Sequence, residues 1–107
     1  MPPIVLEPSP AADLSADLDL LKRLKKRELL AYRELIDRYY GFVYMVAFAL
    51  HRSEEVADQY VLEIFSHAWN HAEGLSFRGS LRQYFFKLIY AKYQRYVSFY
   101  PPINETI

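Results

Sequence analysis

The positions of the prolines limit most strongly what this chain can fold into. All six lie near the two ends of the 107-residue sequence, at Pro2, Pro3, Pro8, Pro10, Pro101 and Pro102. The stretch 11–100 contains no proline, and it holds all three glycines. Proline breaks helices and glycine weakens them, so this stretch favours α-helix over a fold of many short, turn-linked strands. We therefore predict an all-α domain, a small bundle of three to four helices.

Apolar residues within this stretch recur every three or four positions, the period of an amphipathic helix. Ser53, followed by two glutamates, and Ser80, followed by Gln83, are predicted N-caps. The pattern predicts four helices: a short one over Leu14–Leu24, a long one from about Glu28 to His51, a third from Ser53 to before Gly74, and a fourth from Ser80 to about Phe99. The domain is expected to span 14–100, between a flexible segment at 1–13 and a tail at 101–107.

Large aromatic side chains are abundant, at 17% of the residues. Phe65, Trp69 and Phe85 fall on the apolar stripes of the third and fourth helices, and we predict that they anchor the core. Burying a large apolar side chain contributes about 1.5–3 kcal/mol of transfer free energy, so three such anchors are substantial for a domain of this size.

Several functional classes are disfavoured by what the sequence lacks. It has no cysteine, hence no disulfide or thiolate metal site. It shows no signal peptide, and its longest uncharged apolar run, residues 42–50, is too short for a membrane span of about 20 residues. There is no glycine-rich phosphate loop and no recognised nucleophile–base constellation. We therefore predict a cytoplasmic protein that is not an enzyme, needs no cofactor and does not bind membranes.

The charged residues cancel in number, with 13 basic and 13 acidic side chains, but they are segregated along the chain. A dense basic cluster occupies residues 22–27, acids dominate 54–73, and 74–100 carries cations without acids. The basic cluster is typical of a solvated helix end, and the alternative is a grip on phosphates.

The fourth predicted helix interleaves aromatic residues with cations. Its aromatic residues fall on every side, so some rings must be exposed or must cover another surface. Exposed rings beside lysine and arginine can stack unpaired bases while the cations follow the phosphates. The alternative is a helix packed on two neighbours, with tyrosine hydroxyls reaching water. The candidate DNA-binding residues are Arg78, Arg82, Lys87, Lys92, Tyr93 and Arg95.

Glu63, His67 and His71 are spaced at four and could share one side of the third helix. That arrangement could ligate a divalent metal ion, but the spacing is common, and no fourth ligand or HExxH pattern accompanies it. Two solvated histidines near a helix end are the simpler interpretation.

The order and spacing of several motifs resemble a known family. Ala31-Tyr32 with Leu35, Ile36 and Tyr39 is similar to its Ala-Phe…Leu-Tyr…Tyr pattern. Within Glu54–Trp69, the residues Ala57, Glu63, Ile64, Phe65 and Trp69 match an Ala-Glu-Asp…Gln-Glu-Val-Phe…Trp stretch, and Phe77–Leu81 with Tyr84-Phe85 and Leu88-Ile89 resembles the segment leading into the last helix. The family is the bacterial RNA polymerase sigma factors of the extracytoplasmic-function type, and the resemblance covers their second conserved region, over roughly Leu20–Val97.

This resemblance implies a sigma region 2-like fold with two binding surfaces. In the family the middle helix docks on the core RNA polymerase, and the last helix captures unstacked bases of the melted promoter. The residues implied for polymerase binding are Asp58, Gln59, Leu62 and Glu63. We therefore expect a sigma-factor-like protein that binds core polymerase and single-stranded promoter DNA, with an anti-sigma regulator as a further candidate partner.

The chain differs from the family at four functional positions. Gln59 and Leu62 stand where the family has Asp and Gln, and Ala91 and Arg95 stand where it has Asn and Asp. The second, duplex-reading domain of the family has no counterpart after Val97, so the chain is either a fragment or a minimal sigma-like protein. These differences leave a second hypothesis open: an interaction module that binds a regulator or forms a homodimer without reading DNA.

Overall fold

The computed structural model describes residues 10–75 and 80–99. Within this part it contains no strand, and no helix is both long and apolar enough to cross a membrane. The prediction of a small all-α bundle is confirmed. The described elements are α1 (Pro10–Lys25), α2 (Leu29–His51), α3 (Glu54–Asn70), a 3₁₀ turn (Ala72–Gly74) and α4 (Leu81–Phe99).

Local signals account for several helix ends. The Ser53 hydroxyl accepts a hydrogen bond from the Val56 N–H, and the Ser80 hydroxyl accepts one from the Gln83 N–H, both at 3.2 Å. Both predicted N-caps are confirmed. The first helix begins at Pro10, so residues 10–13, expected to be flexible, are helical. Proline suits a helix start because its fixed φ is helical and its missing N–H would have no partner there.

The longest helix, α2, is the central element and packs against α1, α3 and α4. Only Arg52 and Ser53 separate it from α3, its most extensive neighbour. Arg52 adopts a left-handed conformation, with φ of 54°, and its N–H donates to the Phe48 carbonyl at 2.7 Å. This αL cap ends α2 abruptly and lets α3 turn back along it.

Phe85 of α4 is fully buried at the centre of the bundle. Its ring lies 5.4 Å from that of Tyr39 and 5.2 Å from that of Phe65, so three helices meet around it. Phe65 and Phe85 therefore anchor the core as predicted. Trp69 is only partly buried, with its ring 4.7 Å from that of Tyr32 and 4.1 Å from the Arg27 guanidinium carbon.

A buried carboxylate joins α1, α2 and α4. Asp17 is 1% exposed, and it accepts hydrogen bonds from the Tyr39 hydroxyl at 2.5 Å and from the Leu81 N–H at 2.8 Å. The Arg38 guanidinium lies 3.7 Å from the same carboxylate. Because Leu81 is the first residue of α4, its N–H has no acceptor within that helix. Asp17 thus fixes where α4 begins relative to the other two helices.

Candidate interfaces on α3 and α4

The four residues predicted to bind polymerase lie together on α3. Asp58, Gln59, Leu62 and Glu63 are all exposed and are spaced so that they share one side of the helix. The buried residues of α3 occupy the opposite side. Leu62 is 70% exposed, so an apolar side chain projects from an otherwise polar surface. We call these four residues the α3 face.

The residues predicted to bind DNA fall into two groups, and Arg78 lies outside the described residues. Arg82 and Lys87 line a cleft of about 540 Å³ with Phe42, Gln83 and Phe86. The Arg82 guanidinium carbon lies 5.7 Å from the centre of the Phe42 ring. This group lies on the side of α4 that adjoins α2.

The second group lies on the side of α4 that adjoins α3. Lys92 and Arg95 line a cleft of about 690 Å³ with Glu63 and His67. Lys92 forms an ion pair with Glu63, and its ammonium lies 5.1 Å from the centre of the Tyr60 ring. The predicted DNA-binding residues therefore do not form one continuous surface. One of them, Lys92, is paired with a residue of the α3 face.

The rings of α4 divide between the core and solvent, as the sequence predicted. Phe86 and Tyr90 are 49% and 48% exposed, and their rings stack with centroids 6.2 Å apart and planes 9° apart. Phe85, the neighbour of Phe86, is fully buried. The exposed pair lies one and two turns beyond Arg82 along the helix, so a cation and two accessible ring faces share one side of α4.

Tyr93 belongs to an aromatic cluster around His51 that the sequence analysis missed. The His51 Nε2 lies 2.6 Å from the Tyr60 hydroxyl, and its ring meets Tyr93 and Tyr96 nearly edge-on at 5.3 Å and 4.6 Å. Burial and the nearby Lys92 cation lower the pKa of His51, while burial raises the pKa of Tyr60 to about 12. The spacing of Tyr93 and Tyr96 at three was the available signal, but nothing in the sequence paired them with His51.

The candidate metal ligands do not converge. Glu63 is paired with Lys92, while His67 and His71 stack on each other with ring centroids 4.1 Å apart. His71 Nδ1 lies 2.9 Å from the His67 carbonyl oxygen. Burial, His71 and Arg95 lower the pKa of His67. In the part of the chain that the structure describes, no group of three His, Cys, Asp or Glu residues is placed to hold a metal ion.

Internal contacts divide the basic cluster at residues 22–27. Arg23 pairs with Asp19 at 3.2 Å and with Glu34 at 3.0 Å. Arg27 adopts a left-handed conformation with φ of 62°, covers the Trp69 ring and donates to the Trp69 carbonyl. Two of the five cations therefore stabilise the fold. The three lysines are exposed.

Comparison with known proteins adds no assignment, since no family model, curated protein or solved structure matches this chain.

Proposed function

We propose that this chain is a sigma-factor-like transcription protein that binds core RNA polymerase and the single-stranded DNA of an opened promoter. The observation that carries the proposal is the exposed, stacked Phe86–Tyr90 pair on the same side of α4 as Arg82. Two ring faces with a neighbouring cation suit unpaired bases and their phosphates, because every base has a stacking face.

The geometry narrows the DNA-binding part of the proposal. The primary contact with DNA is made by Arg82, Phe86 and Tyr90. Lys87 lines the same cleft as Arg82, Phe86 and Phe42 and adds a second cation. Lys92 and Arg95 are secondary, because Lys92 already has a carboxylate partner. Base stacking contributes about 1–3 kcal/mol per base.

On the protein side, the proposal assigns polymerase docking to the α3 face. An exposed leucine surrounded by polar residues fits the usual anatomy of an interface, in which an apolar contact is enclosed by a polar rim. The resemblance to sigma region 2 supports the proposal, because it implies a polymerase contact at these same positions.

Capture of purified core RNA polymerase tests the protein-binding half. We expect the immobilised chain to retain polymerase, and Leu62→Ser to weaken retention about tenfold, because about 1.4 kcal/mol of apolar contact is lost. Leu18→Ser is the matched control, since Leu18 is also an exposed leucine but lies on α1. Absence of capture, or equal loss in both variants, would contradict polymerase docking at this face.

Binding of a fluorescent single-stranded promoter oligonucleotide tests the DNA-binding half. If Arg82, Lys87, Lys92 and Arg95 each contact one phosphate, the four contacts imply that affinity falls about 50-fold between roughly 50 and 200 mM salt. We expect Arg82→Glu with Lys87→Glu to weaken binding more than Lys92→Glu with Arg95→Glu. Lys25→Glu with Lys26→Glu reverses the same number of charges on exposed lysines elsewhere and should have little effect. If all three double variants lose binding equally, the affinity reflects net charge and not a site on α4.

The second candidate function is an interaction module without DNA readout. It is favoured because two of the predicted DNA-binding residues already have partners within the chain: Lys92 pairs with Glu63, and the Tyr93 ring packs on that of His51. A stable dimer that captures neither polymerase nor the oligonucleotide would support this alternative, and firm polymerase capture would reject it.

A further inference from the structure

Exposed leucines lie beside lysines at the junction of α1 and α2. Leu29 and Leu30, the first two residues of α2, are 64% and 75% exposed. They follow closely on Lys22, Lys25 and Lys26, which are exposed as well. We call these five residues the basic corner. Large exposed apolar side chains clustered among charges are typical of surfaces that bind a partner.

Among residues 15–75 and 80–99, whose side chains the structure describes, the cations of the basic corner have no ion-pair partner, whereas the neighbouring Arg23 pairs with two carboxylates. The fold therefore neutralises part of the original cluster and leaves three lysines available. Such a surface attracts an anionic partner that also offers an apolar contact.

A surface of the opposite charge lies on α3. The first turn of α3 carries two acids, Glu54 and Glu55, next to the α3 face. Within that face, Asp58 lies beside the exposed Leu62. Within the described ranges, none of these three acids has an ion-pair partner. Burial, followed by the nearby charges of Glu54 and Asp58, raises the pKa of Tyr44, in line with the negative charge at this end of α3.

The two surfaces cannot neutralise each other within one molecule. The basic corner lies at the start of α2, and Glu54 begins the helix that follows the end of α2. A helix of 23 residues such as α2 is about 34 Å long at 1.5 Å per residue. Lysine and glutamate side chains at its two ends are therefore too far apart to pair.

We propose that this chain self-associates head to tail, with the basic corner of one copy against the α3 face and first turn of α3 of a second copy. Each surface has an exposed leucine among charged side chains, and the two surfaces carry opposite charges. When they meet, the leucines can contact each other and the lysines can pair with the acids. Such a contact is heterologous and builds a closed ring or an open chain of copies. The α3 face is also the surface proposed for polymerase docking, so a second copy and polymerase would compete for it, and self-association is therefore tested on the chain alone.

Sedimentation velocity of the full chain alone tests the proposal. We expect the average mass to rise with protein concentration at low salt and to return to that of a monomer at high salt, because salt screens exposed charge pairs. A monomer at every concentration would overturn the proposal. A low-salt monomer that binds phosphatidylserine vesicles but not phosphatidylcholine vesicles would overturn it in favour of a lipid surface.

Charge reversal supplies the decisive arm. Lys22→Glu with Lys25→Glu, and separately Glu55→Lys with Asp58→Lys, should each be monomeric. An equimolar mixture of the two variants should associate again, because each reversed surface then meets an opposite charge. Asp37→Lys with Glu73→Lys is the control for the acidic pair and should associate like the unmodified chain. Failure of the mixture to associate would overturn the proposal, provided that circular dichroism shows each variant to be folded.

Discussion

At the scale of single residues, a carboxylate buried between three helices is tolerated only when its oxygens are hydrogen-bonded. Asp17 meets that requirement through Tyr39 and Leu81, with Arg38 nearby. Its position in the sequence gives no warning, because Asp17 and the exposed Asp19 occur in the same run of alternating Asp and Leu. Only the approach of α4, from a segment 64 positions away, distinguishes the two.

Replacing Asp17 by alanine should therefore cost about 3 kcal/mol of unfolding free energy, because the Tyr39 hydroxyl and the Leu81 N–H lose their acceptor in a buried site. Urea denaturation followed by circular dichroism measures the change. Asp19→Ala is the control: it removes only an exposed ion pair with Arg23, so the loss of stability should be much smaller than for Asp17→Ala. Equal losses in the two variants would argue against the buried network.

His51 makes the stability of the fold sensitive to pH. Its pKa is lowered in the folded state by burial and by Lys92, so the folded chain binds fewer protons than the unfolded chain. The stabilisation is fully present above the ordinary histidine value of 6.5 and is lost as the pH falls through that value towards the lowered one.

We expect the urea midpoint to fall between about pH 7.5 and 5.5, a window that spans the ordinary pKa of histidine. His51→Gln should reduce this fall, because glutamine does not titrate. The pKa of His67 is also lowered, so this histidine contributes to the fall in the same direction. The pH dependence of His67→Gln measures the size of that contribution. An unchanged pH dependence in His51→Gln would show that the protonation of His51 is not coupled to unfolding.

At the scale of elements, α4 has one side in the core and another in solvent, and adjacent phenylalanines show the difference. Phe85→Ala should cost about 3–5 kcal/mol, because it opens a cavity where three helices meet. Phe86→Ala should cost no more than about 1 kcal/mol, since half of its side chain is exposed. It should nevertheless weaken oligonucleotide binding about tenfold, through the loss of stacking. Thermal denaturation and fluorescence anisotropy separate the two effects.

Helix caps offer an independent test at this scale. Ser53→Ala should destabilise the fold by about 1 kcal/mol, because the Val56 N–H loses its side-chain acceptor. Ser98→Ala, near the exposed end of α4, should leave stability nearly unchanged. A negligible effect of Ser53→Ala would mean that water replaces the cap at no cost.

The number, order and approximate ends of these helices could be predicted because they depend on nearby residues: apolar period, proline position and capping serines. The helix α1 begins at Pro10 and not at the predicted Leu14, because proline is favourable as the first residue of a helix. The partial exposure of Trp69 could not be predicted, since it depends on contacts with Tyr32 and Arg27, distant in sequence.

At the scale of the whole molecule, the resemblance named the four positions of the α3 face, and their shared side could then be predicted because residues at this spacing on one helix lie together. The binding surface on α4 was harder to predict, because helical spacing does not show which of its cations form ion pairs with acids on another helix. Lys92 and Arg82 both occur among aromatic residues in the sequence. Only the packing of α3 against α4 pairs Lys92 with Glu63.

That ion pair has a consequence for the molecule as a whole. Glu63 belongs to the α3 face, and Lys92 belongs to α4. A ligand that draws the carboxylate away at one surface leaves the ammonium without its counter-charge at the other. Under the proposed function, partner binding at the α3 face and phosphate binding by Lys92 would therefore be thermodynamically linked. The linkage would be reciprocal: if binding at Glu63 strengthens phosphate binding by Lys92, then phosphate binding strengthens binding at Glu63 by the same factor.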